Sequence, residues 1–273
     1  MNFKYFITGF LLFWSLLLTG GYSESFEVYS SSMNKIILNT AIIPDSYIAS
    51  DKSYPVVYLL HGAGGSYASW IDAIPELVDL VDKYQLLLIC PDGNKTSWYI
   101  DSPNQKSSKY ATYINIELLD AVDNKFRALK GEAFRGITGF SMGGHGALYA
   151  AFKYPQQWDF AASISGGMDL EPFTKYWDLP KMLGEYQNNK DNWQNHSVVN
   201  LTVEPEDDPF KFLIYCGDQD FFLNVNNNLK DKLVEHKIAH EYKVLPGNHT
   251  WHFCRRVIDD QLAFFKECFN SKN

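Results

Sequence analysis

Six short apolar runs, "YPVVYLL", "QLLLIC", "RGITGF", "FAASIS", "FKFLIYC" and "EYKVLP", alternate along the chain with segments of helical period. Nearly continuous apolar runs belong to strands covered on both faces, and alternation with helices implies a mostly parallel sheet. The helical segments span Tyr110 to Leu129, Gly143 to Tyr154, Val225 to Lys237 and Trp251 to Phe269, long enough to cross back over such a sheet. "SFEVYSSSMNKIILNTAIIP" adds two paired strands ahead of them. The expected architecture is α/β, a doubly wound and mostly parallel sheet with helices on both faces. A chain of 273 residues, 46% hydrophobic, can bury one such core as a single domain. Its formal charge of -8 excludes the basic footprint by which proteins hold nucleic acid.

The first residues stand outside that domain. "MNFKYFITGFLLFWSLLLTGGYS" carries Lys4, an apolar run from Ile7 to Leu18 and then Gly20, Gly21 and Ser23, the layout of a secretory signal. Its run falls short of the ~20 apolar residues of a spanning helix, so no stable membrane anchor is expected. Residues 1–23 are read as the signal, with secretion or export to the periplasm, and 24–273 as the folded domain. Within the domain, about 168–209 lacks a strand and holds Trp177, Trp193 and "EPEDDP". It reads as an insertion that caps the site. Four cysteines do not make a disulfide framework in a chain of this length. Cys90 and Cys216 end strand-like runs, and Cys254 and Cys268 share one helix about 21 Å apart, so buried free thiols are expected.

In a doubly wound sheet, chemistry gathers beyond the carboxyl ends of the strands. The loops there are "HGAGGSYASW", "PDGNKTSWYIDSP", "SMGGHG", "GGMDLEPF", "GDQDFF" and "PGNHTWH". The most specific is "GITGFSMGGHGALYAAFKYP": a strand ends at Gly139, Ser141 follows within G-x-S-x-G, and a small-residue helix starts at once. A nucleophile on so sharp a turn needs glycine on either side, because a Cβ would strike neighbouring backbone. The helix N-terminus then offers N–H groups to charge developing near Ser141. An oxyanion hole is expected from the N–H groups of Met142 and Ala63, with Gly62 as the neighbouring alternative. His61 reads as a brace of its own loop, and His145 as facing away from the turn.

Two stretches carry choices. "GDQDFF" offers Asp218 and Asp220 as the acid that orients a base; reach around the loop favours Asp220, leaving Asp218 to cap the loop. "PGNHTWHFC" holds His249 and His252, three apart, a spacing that also suits metal ligands. No third His, Cys or carboxylate with ligand spacing accompanies them, so neither metal nor other cofactor is expected. His249 lies on the loop, Thr250 can cap the last helix and His252 already belongs to its first turn. The triad is therefore Ser141, Asp220 and His249, in the chain order of α/β-hydrolases.

Taken together, "LLHGAGG", "PDGNKTSWYIDSP", "GFSMGGHGAL", "CGDQDFF" and "PGNHTW" resemble the esterase family that includes S-formylglutathione hydrolases, mycolyltransferases and feruloyl or acetylxylan esterases. The resemblance runs from about Asn34 to Phe269 and implies the α/β-hydrolase fold and the same triad. Export disfavours glutathione thioesters, a cytosolic task, and favours a carboxylesterase acting on an acyl or phenolic ester of plant cell-wall carbohydrate. The alternatives are a general short-chain esterase, an S-formylglutathione-hydrolase-like thioesterase, and a non-catalytic carbohydrate-binding protein on the same fold. Trp98, Tyr99, Trp177 and Trp193 fall in loops expected to rim the site, where they would stack on a sugar or phenolic group. Replacing the two histidines separates their roles: His249→Ala should lower ester hydrolysis by about 10⁴-fold or more, while His252→Ala leaves it within a small factor, as initial rates will show.

Overall fold

The computed structural model describes residues 20–201 and 211–272. The signal reading of residues 1–19 lies outside these residues, as does the end of the insertion, 202–209. Tyr22 and Ser23, assigned to the close of the signal, already pair with Ile43 and Ile42 in the first strand.

Eight strands form one sheet: β1 Tyr22–Ser30, β2 Lys35–Ile43, β3 Val56–Leu60, β4 Leu87–Pro91, β5 Arg135–Gly139, β6 Phe160–Ile164, β7 Lys211–Gly217 and β8 His240–Leu245. Their spatial order is β1-β2-β4-β3-β5-β6-β7-β8. The hairpin β1–β2 is antiparallel, β2 meets β4 antiparallel, and every remaining pairing is parallel. Each apolar run of the sequence is thus a strand. From β3 the chain steps one way to β4 and then returns to β5 on the other side. This reversal opens a crevice beyond the carboxyl ends of β3 and β5, the place where such sheets hold their ligands.

Alternate residues of a strand face opposite sides, and the core divides accordingly. Val57 and Leu59 of β3, Leu88 of β4 and Leu213 and Tyr215 of β7 pack with Leu77 and Val81 of the helix Leu77–Tyr84. The same layer takes Val257, Ile258 and Leu262 of the last helix, Trp251–Asn270. On the other face, Tyr58 and Leu60 of β3 and Ile89 of β4 meet Val122, Leu148 and Leu229, one from each of three helices. These are Leu118–Lys125, Met142–Lys153 and Leu223–Glu235.

One helix stops earlier than its periodicity suggests. The segment from Tyr110 is helical to Lys125, with a π-helical turn over Tyr113–Glu117, and then becomes extended at Phe126. The cause is tertiary. Tyr54 bridges Ala128, and the Tyr54 N–H donates to Arg127 O at 2.9 Å, drawing residues that would continue the helix into an extended path.

The described part of the insertion forms short helices, Leu179–Leu183 and Lys190–His196, joined by 3-10 turns. Leu170, Leu179, Leu183 and Trp193 are fully buried and join the core layer of the helices Leu118–Lys125, Met142–Lys153 and Leu223–Glu235. Ser102 Oγ donates to Met182 O at 2.6 Å, tying this segment to the loop after β4.

All four cysteines are free and buried. Burial pushes the thiols up, Cys268 to about 11 and Cys216 to about 12, so thiolate is scarce at neutral pH. The native protein should therefore react with no thiol equivalent of Ellman's reagent over minutes, and with four after denaturation, read by absorbance at 412 nm. Rapid native reaction of one or more thiols would contradict this burial.

Candidate active site

The turn between β5 and the helix Met142–Lys153 places Ser141 at φ 60°, ψ -119°, a region costing a non-glycine residue about 1–3 kcal/mol. Neighbouring bonds hold it there. Phe140 N–H donates to Leu60 O at 3.1 Å, Ser141 N–H to Ile164 O at 2.9 Å, and Gly143 N–H to Phe140 O at 2.8 Å. A Cβ on Gly143 would run into the carbonyl of Leu60, and one on Gly139 into the backbone of Gly143. Glycine is therefore required at both positions by the closeness of strand and helix, as the motif implies.

His249 completes the arrangement from the loop after β8. Its Nε2 lies 2.8 Å from Ser141 Oγ, and its Nδ1 lies 2.9 and 3.0 Å from the carboxylate oxygens of Asp220. The Asp220 side chain is fully buried, and its Oδ1 also accepts the N–H of Phe222 at 2.8 Å. An ionised carboxylate in that position fixes the imidazole with Nδ1 as donor and leaves Nε2 to accept from the serine hydroxyl. Asp218 is turned elsewhere: its Oδ1 accepts the Gly247 N–H at 2.9 Å. Gln219 N–H donates back to Gly247 O at 2.9 Å, so the loops bearing acid and base are tied to each other. Thr250 caps the last helix by accepting from Phe253 N–H, and His252 is exposed on its first turn. Among the described residues no group of three His, Cys, Asp or Glu gathers as a metal cage.

The loop after β3 passes over the serine. A Cβ on Gly62 would lie 3.3 Å from Ser141 Cβ. Three bonds pin this loop: Gly93 N–H donates to His61 Nε2 at 2.8 Å, His61 Nδ1 lies 2.8 Å from Gly62 O, and Gly64 N–H donates to Lys95 O at 2.7 Å. Burial lowers the His61 pKa, which keeps the ring neutral with one N–H to give and one lone pair to accept. The N–H groups of Met142, Ala63 and Gly62 meet no acceptor among the described residues. They are thus available to an anion beside Ser141.

Three of the four aromatic residues expected at the rim lie elsewhere. Trp98, Tyr99 and Trp193 are buried, and each has its polar atom committed to backbone. Tyr99 OH donates to His61 O at 3.1 Å, Trp98 Nε1 to Trp177 O at 3.2 Å, and Trp193 Nε1 to Gly184 O at 2.9 Å. Large aromatics with one polar handle are well suited to such bracing, and loop position alone does not separate it from a rim role. Trp177 does reach the cleft. His145, four residues into its helix, is buried with Nε2 2.8 Å from His196 O, and burial pushes its pKa down to about 4, so it stays neutral.

The cleft has a volume of about 410 Å³, and Ser141, His249, Trp177, Phe221, Trp251 and Phe140 are among its lining residues. The last three were not singled out from sequence. Phe140 and Phe221 pack against the imidazole of His249, with ring centroids 4.6 and 4.2 Å away. Phe221 is 54% exposed and lies stacked on Trp177 at 5.7 Å. Its signal was present in "DQDFF": an aromatic directly after the acid must lie near the base that the acid holds.

Comparison with known proteins identifies the family. Residues 30–265 match the family model described as "Putative esterase". Among curated proteins, the chain is 26% identical over 240 residues to Esterase MT1326 of Mycobacterium tuberculosis, covering 77% of this chain. It spans only about half, 52%, of that relative's length. It is 25% identical over 259 residues to an acetyl esterase of Caldicellulosiruptor saccharolyticus, covering 88% of this chain and 96% of the relative. The solved structure of a ferulic acid esterase superposes with a TM-score of 0.77 at 22% identity, over 91% of this chain and 98% of that one, a likeness of fold. With the family model spanning most of its length and the fold matched throughout, the chain belongs to this esterase family of α/β hydrolases.

Proposed function

We propose that the protein hydrolyses carboxylic esters through an acyl-enzyme on Ser141. The observation that carries the reading is the continuous line of hydrogen bonds from Asp220 through His249 to Ser141 Oγ, at 2.9 and 2.8 Å. As Oγ attacks the ester carbonyl, its proton passes to His249 Nε2, and Asp220 stabilises the imidazolium. The carbonyl oxygen becomes an oxyanion held by the N–H groups of Met142 and Ala63. Collapse of this intermediate breaks the ester C–O bond, and His249 returns the proton to the departing alcohol. Water, deprotonated by His249, then attacks the acyl-enzyme and frees the acid.

For substrate, the reading is an acyl or phenolic ester carried on carbohydrate, met outside the cell. Three observations support it: the aromatic wall of Trp177 and Phe221 beside the serine, the relationship to an acetyl esterase, and the signal-like first residues. Among the described residues no helix is long and apolar enough to cross a membrane.

Purified protein should hydrolyse p-nitrophenyl acetate, and Ser141→Ala should lower kcat by about 10⁶-fold, close to background. Equal turnover by that variant would reject the nucleophile, and no turnover by the unaltered protein on any ester would favour a binding role. Rates on acetylated xylan and methyl ferulate should exceed those on tributyrin and S-formylglutathione; the reverse order would reject the carbohydrate assignment. The two aspartates give a further contrast. Asp220→Asn should cost about 10⁴-fold in kcat by leaving the imidazole in the wrong tautomer, whereas Asp218→Asn, which loosens a loop bond, should cost far less. Stopped assays of both variants at neutral pH will rank them.

A further inference from the structure

A second cleft lies beside the first, across a strap formed by residues 175–178. It is an open depression of about 610 Å³, and Asn104, Lys175, Asp178, Lys181, Glu185 and Asn188 line it. Its walls are built into the fold. Asn104 Nδ2 donates to Lys181 O at 2.9 Å, Asn192 Nδ2 to Leu183 O at 2.8 Å, and Trp193 Nε1 to Gly184 O at 2.9 Å. By contrast, the side chains of Lys175, Lys181, Glu185 and Asn188 have no polar partner among the described residues. Exposed donors and acceptors of both signs thus surround one open depression.

The strap joins the two clefts. Trp177 lines the catalytic one and Lys175 and Asp178 the other. Trp177 and Asp178 both have left-handed backbone, φ 48° and 55°, a rare state for consecutive non-glycine residues and one that clusters at ligand sites. Thr96 Oγ1 to Asp178 Oδ2, at 3.1 Å, and Trp98 Nε1 to Trp177 O hold it in place. Within the strap Tyr176 is 58% exposed, its ring 5.4 Å from that of Trp177. An exposed aromatic on the strap, with the amide of Asn188, the carboxylate of Glu185 and the ammonium groups of Lys175 and Lys181 around the neighbouring depression, matches a sugar chain, which offers an apolar C–H face to stack and hydroxyls to bond.

We propose that Tyr176 and the second cleft form a subsite for the oligosaccharide that carries the scissile ester, on the side of the alcohol that leaves. The proposal rests on ester hydrolysis at Ser141 and gives the carbohydrate reading a location. Bound there, a sugar chain would place its acyl substituent over the strap and against Ser141. Small aryl esters would use the first cleft alone.

The test combines kinetics with binding. For the unaltered protein, kcat/KM on mono-O-acetylated xylose, xylobiose and xylotetraose, each relative to p-nitrophenyl acetate, should rise with chain length. In Tyr176→Ala/Asn188→Ala, two exposed positions, the ratio for xylotetraose acetate should fall about tenfold, through KM, roughly one stacking and one polar contact. Independently, Ser141→Ala protein should bind unacetylated xylotetraose by calorimetry, and adding the two substitutions should weaken that binding by a similar factor. A flat chain-length series, an unmoved ratio, or binding indifferent to the substitutions overturns the subsite while leaving Ser141-dependent hydrolysis standing. Absence of Ser141-dependent hydrolysis of p-nitrophenyl acetate would instead overturn the ester hydrolase reading itself, whatever the binding.

Discussion

The backbone of Ser141 is the constraint around which the rest of the molecule is arranged. A serine at φ 60° is unfavourable in isolation, and it persists because β3, β5 and β6 each contribute a carbonyl or a glycine that leaves the chain no other path. The strain has a chemical return. It lifts Oγ clear of the sheet while aiming the first N–H of the following helix at the same point in space. The switch in strand order at β3 supplies the other half of the site, since the loop leaving β3 is the one that can reach over the serine.

Much of the molecule around the cleft serves as bracing. His61 holds the glycine loop to Gly93, Tyr99 holds the carbonyl of His61, and Trp98 holds the carbonyl of Trp177. Each of these side chains is buried, and each satisfies a backbone group that a loop would otherwise present to water or leave unpaired. The same arrangement explains how the described part of the insertion, in which no strand forms, is held in place. It borrows core from the sheet through Leu179, Leu183 and Trp193 and returns a wall to the cleft through Trp177.

The strands, the elbow and the positions that converge on Ser141 were legible because each depends on local rules. Apolar runs bounded by turns specify strands, and a strand, a flanked serine and a helix specify the elbow. The choice between Asp218 and Asp220 was legible from reach alone. What the sequence did not disclose depends on partners distant in the chain. Trp98, Tyr99 and Trp193 sit in loops that border the site, yet their rings turn inward because carbonyls of residues 61, 177 and 184 wait there. The early end of the helix at Lys125 follows from a bridge to Tyr54, more than seventy positions away, and no periodicity within the segment encodes it. Phe221 was passed over for the opposite reason. An exposed phenylalanine carries no periodic pattern, and its place directly after Asp220 gains meaning once the imidazole is seen 4.2 Å away.

The double tie between the loops after β7 and β8 also gives one part of the site a support of its own. Asp218 and Gln219 exchange bonds with Gly247 from both directions, and Gly217 presses so closely on Gly247 that a Cβ would not fit. Asp220 and His249 therefore sit on two loops tied directly to each other, although some thirty residues separate them. The Asp220–His249 contact thus has its own backbone ties, separate from the bonds to Leu60, Ile164 and Phe140 that hold Ser141 in its turn.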